Sequence, residues 1–358
     1  MARALEIAAQ GRGKVEPNPM VGCVIARGAE IIGEGYHQRY GGPHAEIEAL
    51  RVAGPRAKGA VMYVTLEPCC HHGKTPPCTE AVIAAGIARV VAAMQDPFAQ
   101  VAGKGLEALR RAGIEVSCGL MEAEARELNA PYLKLLAVGR PWVIAKWAMT
   151  LDGKIATVAH ESRWISGPAS RARSHRLRGR VDAILVGSGT VLADDPLLTV
   201  RPPGDRTPLR VVLDGRARIP LESQLVRTAR ETPVLIAVNE SADGGARKAL
   251  EAAGCEILVC PAADGAARLD FLLAELGKRR MTNVLIEGGS RLLGAVFDAG
   301  MIDEVHVFAA PKLLGGKAAP TPIAGSGIPR ITAAKEVRVL AVERLDSDIY
   351  IQGRLTRP

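Results

Sequence analysis

What most limits the folds open to this chain is an alternation of strand and helix patterns, broken once at Gly139-Arg140-Pro141. Before the break, apolar periodicity predicts strands near residues 21–26, 31–36, 60–66, 89–94 and 114–117. Helices are expected at the N-terminus, over 44–53, from Cys78 onward, over 104–112, and along one amphipathic stretch at 121–138. After the break, strands are predicted at 142–149, 183–186, 209–213, 234–238, 256–260, 284–286 and 304–309, with paired strands in 339–355. Helices fall between most of them. Gly at a helix end with Pro just beyond is a stop signal. The chain is 358 residues long, more than a single hydrophobic core usually serves. It therefore reads as two α/β domains, 1–139 and 140–358.

Four of the seven histidines and three of the seven cysteines lie between positions 37 and 78. An odd cysteine count in a chain too large to need disulfide staples points to reduced thiols. Thiols bunched in this way signal metal or catalysis. The pattern is His44-Ala45-Glu46, followed by Pro68-Cys69-Cys70-His71-His72-Gly73-Lys74-Thr75-Pro76-Pro77-Cys78. One imidazole and two thiolates suit tetrahedral Zn²⁺ with a fourth position left for water. His-x-Glu with a later Pro-Cys-x-x-Cys is the zinc-deaminase signature, in which the glutamate moves protons and does not bind metal. Here Cys69 and Cys78 are nine positions apart rather than three, so the generic spacing is not met. A closed Cys/His site that only staples a loop would leave Glu46 without a role. His71 and His72, on a Gly/Pro-rich loop, could touch substrate or face solvent. Cys70 reads as a bystander thiol, and Cys23, Cys118, Cys255 and Cys260 read as packing residues on strands or strand ends.

Pro17-Asn18-Pro19-Met20-Val21-Gly22, the His44-Ala45-Glu46 triplet and the Pro68–Cys78 run together resemble the bifunctional riboflavin-biosynthesis deaminase–reductase family. In that family the insertion between the cysteines is the usual form of the motif. The resemblance implies a cytidine-deaminase-like three-layer fold for the first domain. It implies His44, Cys69 and Cys78 as zinc ligands and Glu46 as the proton carrier. Asn18, His37, His71 and Lys74 would line a pyrimidine and ribose-phosphate pocket.

The second half offers an independent set of motifs: Lys146–Lys154, Ser162-Arg163-Trp164-Ile165-Ser166, Gly187–Pro196 and Glu287–Leu293. These resemble the reductase domain of the same family, whose fold is like dihydrofolate reductase, so the likeness spans essentially the whole chain. Gly288-Gly289-Ser290 follows an apolar strand and opens a helix, an arrangement that lets a pyrophosphate approach free backbone amides. It is not the G-x-G-x-x-G fingerprint, so a Rossmann domain is not indicated. Thr190 and Asp194 read as part of a turn-rich loop ending in Pro196. A helix from Pro168 to Gly179 would set Arg171, His175 and Arg178 on one face, to be read as a solvated face, a nucleic-acid stripe or a phosphate clamp. The resemblance implies NADPH/NADP⁺ against Ala148, Trp164, Thr190, Asp194, Gly289, Ser290, Arg291, Leu292, Leu293, Gly294 and Ala295. It places substrate at Ser162, Arg178, Leu198, Arg201 and Glu287. Lys146 and Asp194 are candidates to orient substrate or pass the proton.

Charge sharpens the choice of partner. The net charge is +8, yet residues 1–139 hold 15 basic against 14 acidic side chains and residues 140–358 hold 31 against 24. The surplus lies where a phosphorylated substrate and a phosphate-rich cofactor are expected. With aromatics at 3%, a groove that stacks unpaired bases is disfavoured. No apolar run approaches the ~18 residues of a membrane span, and Arg3 and Glu6 interrupt the first apolar stretch. The expectation is a cytoplasmic enzyme, forming a homo-oligomer, that acts on a small phosphorylated pyrimidine and not on nucleic acid or membrane.

Overall fold

The computed structural model describes residues 1–358 except 73–75, 205, 262–263 and 357–358. The chain divides into two compact units, Met1–Gly139 and Arg140–Pro358. The first unit runs α1 (Ala2–Ala8), β1 (Gly22–Arg27), β2 (Glu30–Tyr36), α2 (Ala45–Ala53), β3 (Val61–Val64), α3 (Cys78–Ala84), β4 (Arg89–Ala92), α4 (Lys104–Arg111), β5 (Glu115–Cys118), α5 (Glu122–Leu128) and α6 (Ala130–Val138). Its sheet has the order β2-β1-β3-β4-β5. β1 is antiparallel to both β2 and β3, whereas β3, β4 and β5 are parallel. Ala45 and Ala49 of α2 share a core with Cys23, Ile25, Met62, Val64 and Val90.

Two glycines let α2 lie unusually close to the sheet. A β-carbon on Gly33 would meet the Ala49 carbonyl oxygen at 2.5 Å, and one on Gly35 would meet the Ala49 nitrogen at 2.6 Å. Only a strand without side chains at these positions can seat this helix. At the far end of β3, Glu67 is buried and its carboxylate accepts four backbone N–H groups: Asp96 (3.1 Å), Gly103 (2.9 Å), Gly105 (2.8 Å) and Leu106 (3.2 Å). These bonds satisfy orphan amides at the start of α4 and anchor the chain two residues before Cys69.

The second unit runs β6 (Trp142–Thr150), α7 (Pro168–Arg178), β7 (Ala183–Gly187), α8 (Ser188–Asp194), β8 (Leu209–Leu213), α9 (Gln224–Arg227), β9 (Val234–Asn239), α10 (Gly244–Ala252), β10 (Glu256–Cys260), α11 (Gly265–Lys278), β11 (Asn283–Glu287), α12 (Ser290–Asp298), β12 (Glu304–Ala310), β13 (Val337–Leu345) and β14 (Asp348–Leu355). The sheet order is β10-β9-β8-β7-β11-β6-β12-β14-β13. Pairing is parallel from β10 through β12 and antiparallel in the terminal hairpin. Leu272, Leu276, Leu293 and Val296 from α11 and α12 cover one face. Leu177, Val191, Leu225 and Leu250 from α7 to α10 cover the other. Covering both faces explains the uninterrupted apolar strands such as Ala183–Gly187.

Three expectations are corrected. The stretch at 121–138 is two helices, because Asn129 leaves the helical path and its buried amide exchanges bonds with the backbone of Met20 (2.8 and 2.9 Å). Thr190 and Asp194 lie on helix α8 rather than in a loop; Val191 anchors that helix in the core and outweighs the punctuation by Gly189 and Pro196. Cys118 is exposed rather than packed, since it ends the edge strand β5. Among the described residues, no helix is long and apolar enough to cross a membrane.

Replacing Glu67 by Gln would turn an amide toward N–H donors it cannot satisfy. Each buried donor left unpaired costs about 1–3 kcal/mol. Glu67→Gln is expected to lower the urea midpoint seen by circular dichroism clearly more than Glu115→Gln, whose carboxylate makes an exposed ion pair with Arg89. Equal midpoints for the two variants would contradict the anchoring role.

Candidate functional site

In the first unit, local structure delivers four chemical groups to one place. His44 is the residue preceding α2, and Glu46 lies in that helix's first turn. Cys78 opens α3, and Cys69 follows the anchored Glu67-Pro68. The His44 Nδ1 is 3.2 Å from Cys78 Sγ and 3.4 Å from Cys69 Sγ. All three candidate ligand atoms fall within 4.8 Å of one another. Tetrahedral zinc with ordinary Zn–N and Zn–S lengths has N···S edges of about 3.5 Å, so the donor set fits that ion in spacing and in softness. Cys69 accepts the backbone N–H of Cys78 at 3.3 Å. Hydrogen bonding from Cys78, then from His44, holds the Cys69 thiol well below its usual range, while the Cys78 thiol is raised. One thiolate is thus already favoured. Glu46 is buried, and burial, followed by the nearby Cys69 thiolate, pushes its carboxyl up to about 7.

Beside this cluster, His37 is buried and its ring meets that of His44 edge-on at 5.4 Å between centroids. The carbonyl of Pro43 can only accept, so the Nδ1 of His37, 2.9 Å away, carries the proton. Nε2 then accepts from the Asn18 amide at 3.2 Å, which turns the Asn18 carbonyl toward other donors. Burial also lowers the pKa of His37. His71 has a buried Nδ1 without a hydrogen-bond partner among the described residues and lies 6.1 Å from the Phe98 ring. Phe98 is held by Asp96, which also accepts from Tyr132 at 3.0 Å. His72 is exposed and only 4.0 Å from Glu80, and Cys70 makes a long contact with the Gln100 carbonyl. Lys74 lies outside the described residues.

The second unit gathers its expected residues at the C-terminal ends of adjacent parallel strands, where crevices form in such sheets. Lys146 on β6 stands beside Glu287 on β11 in register, with Nζ 3.5 Å from the carboxylate. Arg178 from α7 grips the same carboxylate through two bonds of 2.6 and 2.9 Å. Burial alone would raise the pKa of Glu287, but Arg178 and then Lys146 override it and hold the carboxyl far below its usual range. Ser162 donates to Asp194 at 2.9 Å. Gly288 and Gly289 both have positive φ, and a β-carbon on Gly289 would sit 3.0 Å from the Thr190 hydroxyl. The starts of α8 and α12 are thereby brought together. Ala148 lies two residues beyond Lys146 on β6 and so shares its face.

The remaining expected residues are more dispersed. Trp164 is 63% exposed, with the Arg171 guanidinium 4.7 Å from its ring centroid. Arg291 is exposed and Ala295 half-buried. Leu292 and Leu293 are core residues, and Gly294 abuts the backbone of Ala324. Leu198 is buried in the left-handed region at φ 53°. Arg201 is exposed, and its backbone N–H donates to His175 Nδ1 at 3.2 Å. Reasoning from residue types misses Glu67 and Asn129, whose partners lie far away in the sequence. The one available signal was an acidic residue set between Leu66 and Pro68 at the end of a buried strand.

Comparison with known proteins gives a consistent picture. Residues 1–94 match the model of the cytidine and deoxycytidylate deaminase zinc-binding region, and residues 141–351 match that of the RibD C-terminal domain. The riboflavin biosynthesis protein RibD of Actinobacillus pleuropneumoniae is 44% identical over 100% of this chain and 95% of its own length. That of Escherichia coli K12 is 47% identical over 89% and 88%. The solved structure of Acinetobacter baumannii RibD (form 1) superposes with a TM-score of 0.87 at 38% identity, covering 99% of this chain and 98% of that one. A Thermotoga maritima diaminohydroxyphosphoribosylaminopyrimidine deaminase/5-amino-6-(5-phosphoribosylamino)uracil reductase gives a TM-score of 0.84 at 34% identity, covering 99% and 97%. With a cytidine-deaminase-like fold before Gly139 and a dihydrofolate-reductase-like fold after it, the chain belongs to the RibD family of bifunctional riboflavin-biosynthesis enzymes.

Proposed function

We propose that the first unit hydrolytically deaminates diaminohydroxyphosphoribosylaminopyrimidine to 5-amino-6-(5-phosphoribosylamino)uracil, and that the second reduces the ribosyl side chain to ribityl with NADPH. The observation that carries the first step is a buried carboxyl, Glu46, beside an open set of three soft ligands, His44, Cys69 and Cys78. Zinc bound there supplies Lewis acidity and lowers the pKa of water toward neutrality. Glu46 takes one proton from the attacking water and delivers it to the ring nitrogen, then takes the second from the added hydroxyl and delivers it to the amino group, which leaves as ammonia, a task suited to a carboxyl raised by burial. The C–O bond forms as water adds across the ring C=N bond, and the C–N bond to the amino group breaks afterwards as the carbonyl forms. Asn18, its amide oriented by His37, accepts from a ring or amino N–H, while His71 faces the pyrimidine and ribose phosphate.

In the second unit, bound NADPH supplies a hydride to the first sugar carbon of the ring-opened C=N form. Gly289, Ser290 and the helix start beyond them offer backbone amides to its pyrophosphate. Ala148, Trp164, Thr190, Asp194 and the exposed Arg291 line the same crevice, while the buried Leu292, Leu293 and Gly294 hold the start of α12 in place behind it. Glu287 fixes the plane of Arg178, so that with Arg201 and Ser162 it presents donors to the substrate phosphate; Leu198 packs beneath the sugar. Lys146 and Asp194 are placed to orient the substrate and pass the proton to nitrogen. A cytoplasmic location is part of this reading, and so is a homo-oligomer, for which the support is an outermost strand, β13, that leaves Val339 and Val342 more than half exposed.

Two experiments test the pair of assignments. Glu46→Gln should retain zinc and lower ammonia release by about 10²-fold or more, yet still oxidise NADPH when given the deaminated intermediate. A variant with wild-type ammonia release would refute the role of Glu46. Gly289→Ala, which adds a β-carbon against Thr190 at positive φ, should raise the KM for NADPH and leave ammonia release unchanged. An unaltered KM for NADPH would move the cofactor elsewhere.

A further inference from the structure

Arg210 on β8 is completely buried, and its position is unusual for a guanidinium. Its described hydrogen bonds go to neutral oxygens: the Leu197 carbonyl at 3.1 Å, the Thr228 hydroxyl at 2.8 Å and carbonyl at 3.0 Å, and the Thr232 carbonyl. Nε has no partner. Burial lowers its pKa to about 10, so the group remains charged in neutral solution. On the same face, neighbouring strands contribute Ile184 and Ile236. A hydrophobic side chain would fill that core without the cost of desolvating a charge. Core packing therefore gives no reason for an arginine here.

The carbonyls it gathers do give one. Leu197 lies in the segment between Asp194 and Arg201. That segment contains two non-glycine residues in the left-handed region, Asp195 at φ 38° and Leu198 at φ 53°. Such conformations persist only where surrounding contacts over-determine them. Several contacts do so here, among them a bond from the Gln224 side-chain amide to the Asp195 carbonyl. Asp195 accepts the backbone N–H of Gln224 at 2.8 Å, Arg210 holds Leu197, Arg178 donates to the Thr199 carbonyl at 3.0 Å, and Arg201 is tied to His175. Of these, the bond from Arg210 comes from the central sheet and adjoins Leu198 directly. We propose that Arg210 is a positioning residue of the reductase site, fixing the Leu197 carbonyl and with it the turn that presents Leu198 and Arg201 to the phosphorylated substrate. The proposal rests on the reductase reading given above.

The test uses the full chain and steady-state kinetics with the deaminated intermediate. Arg210→Met, similar in length and apolar, should raise the KM for the intermediate by about tenfold. The KM for NADPH and the rate of ammonia release should stay within about twofold of wild type. Arg210→Lys keeps a charge and some donors and should recover part of the loss. An unmoved KM for the intermediate, or an equal rise in the KM for NADPH, would overturn the proposal and leave Arg210 a core residue. If the Met variant does not fold, the Lys variant decides alone, by a rise in the KM for the intermediate of about threefold at constant KM for NADPH. A wild-type protein inert toward the intermediate would overturn the reductase reading and this proposal with it. An active wild type with unmoved variants overturns the proposal alone.

Discussion

A charge removed from water must be met by opposite charge or by hydrogen bonds, and in both units this requirement determines the path of the chain around the site. The Cys69 thiolate is met by Cys78 and His44. The carboxylate of Glu67 is met by four backbone amides drawn from the segment after β4 and from the first turn of α4. Glu287 is met by Arg178 and Lys146, and Arg210 by carbonyls from separate turns. Each of these groups lies at or next to a residue to which a chemical role is assigned. The apolar cores supply the enclosure, and the buried charges select which loop stands where.

This arrangement also separates a reactive centre from a stapling one. A zinc site made only for stability would be closed by a fourth protein ligand. Instead, His44, Cys69 and Cys78 converge without a fourth described His, Cys, Asp or Glu among them, and the acid nearest to them, Glu46, is buried on the same helix. Glu46 is buried in the first turn of α2 and His44 directly precedes that helix, so the close seating of α2 over Gly33 and Gly35 fixes the position of both. The second centre follows a different logic: two cations share one carboxylate, leaving net positive charge where an anionic substrate would bind.

The first site is largely legible in the residues themselves. His44 and Glu46, two apart at a helix start, and two cysteines embedded in a Gly/Pro-rich run carry their chemistry in residue type and short spacing. The strands, too, follow from period-two and apolar runs, because local patterning and burial coincide in a sheet covered on both faces. Long-range polar partners are not legible in this way. Asn129 meets Met20 across 109 positions and Arg178 meets Glu287 across the same separation; no local pattern encodes either meeting. Helix α8 was obscured for the opposite reason: Gly189 and Pro196 are strong local signals, but burial of Val191 against the sheet prevails over them.

The central claim is that the first unit holds an open zinc centre of one imidazole and two thiolates. X-ray absorption at the zinc edge of the purified full chain tests it most directly. One zinc per chain bound by two sulfurs and two lighter atoms is expected, a pattern unchanged in Cys70→Ser and lost in Cys78→Ser. A shell of three or four sulfurs, or a spectrum altered by Cys70→Ser, would contradict it.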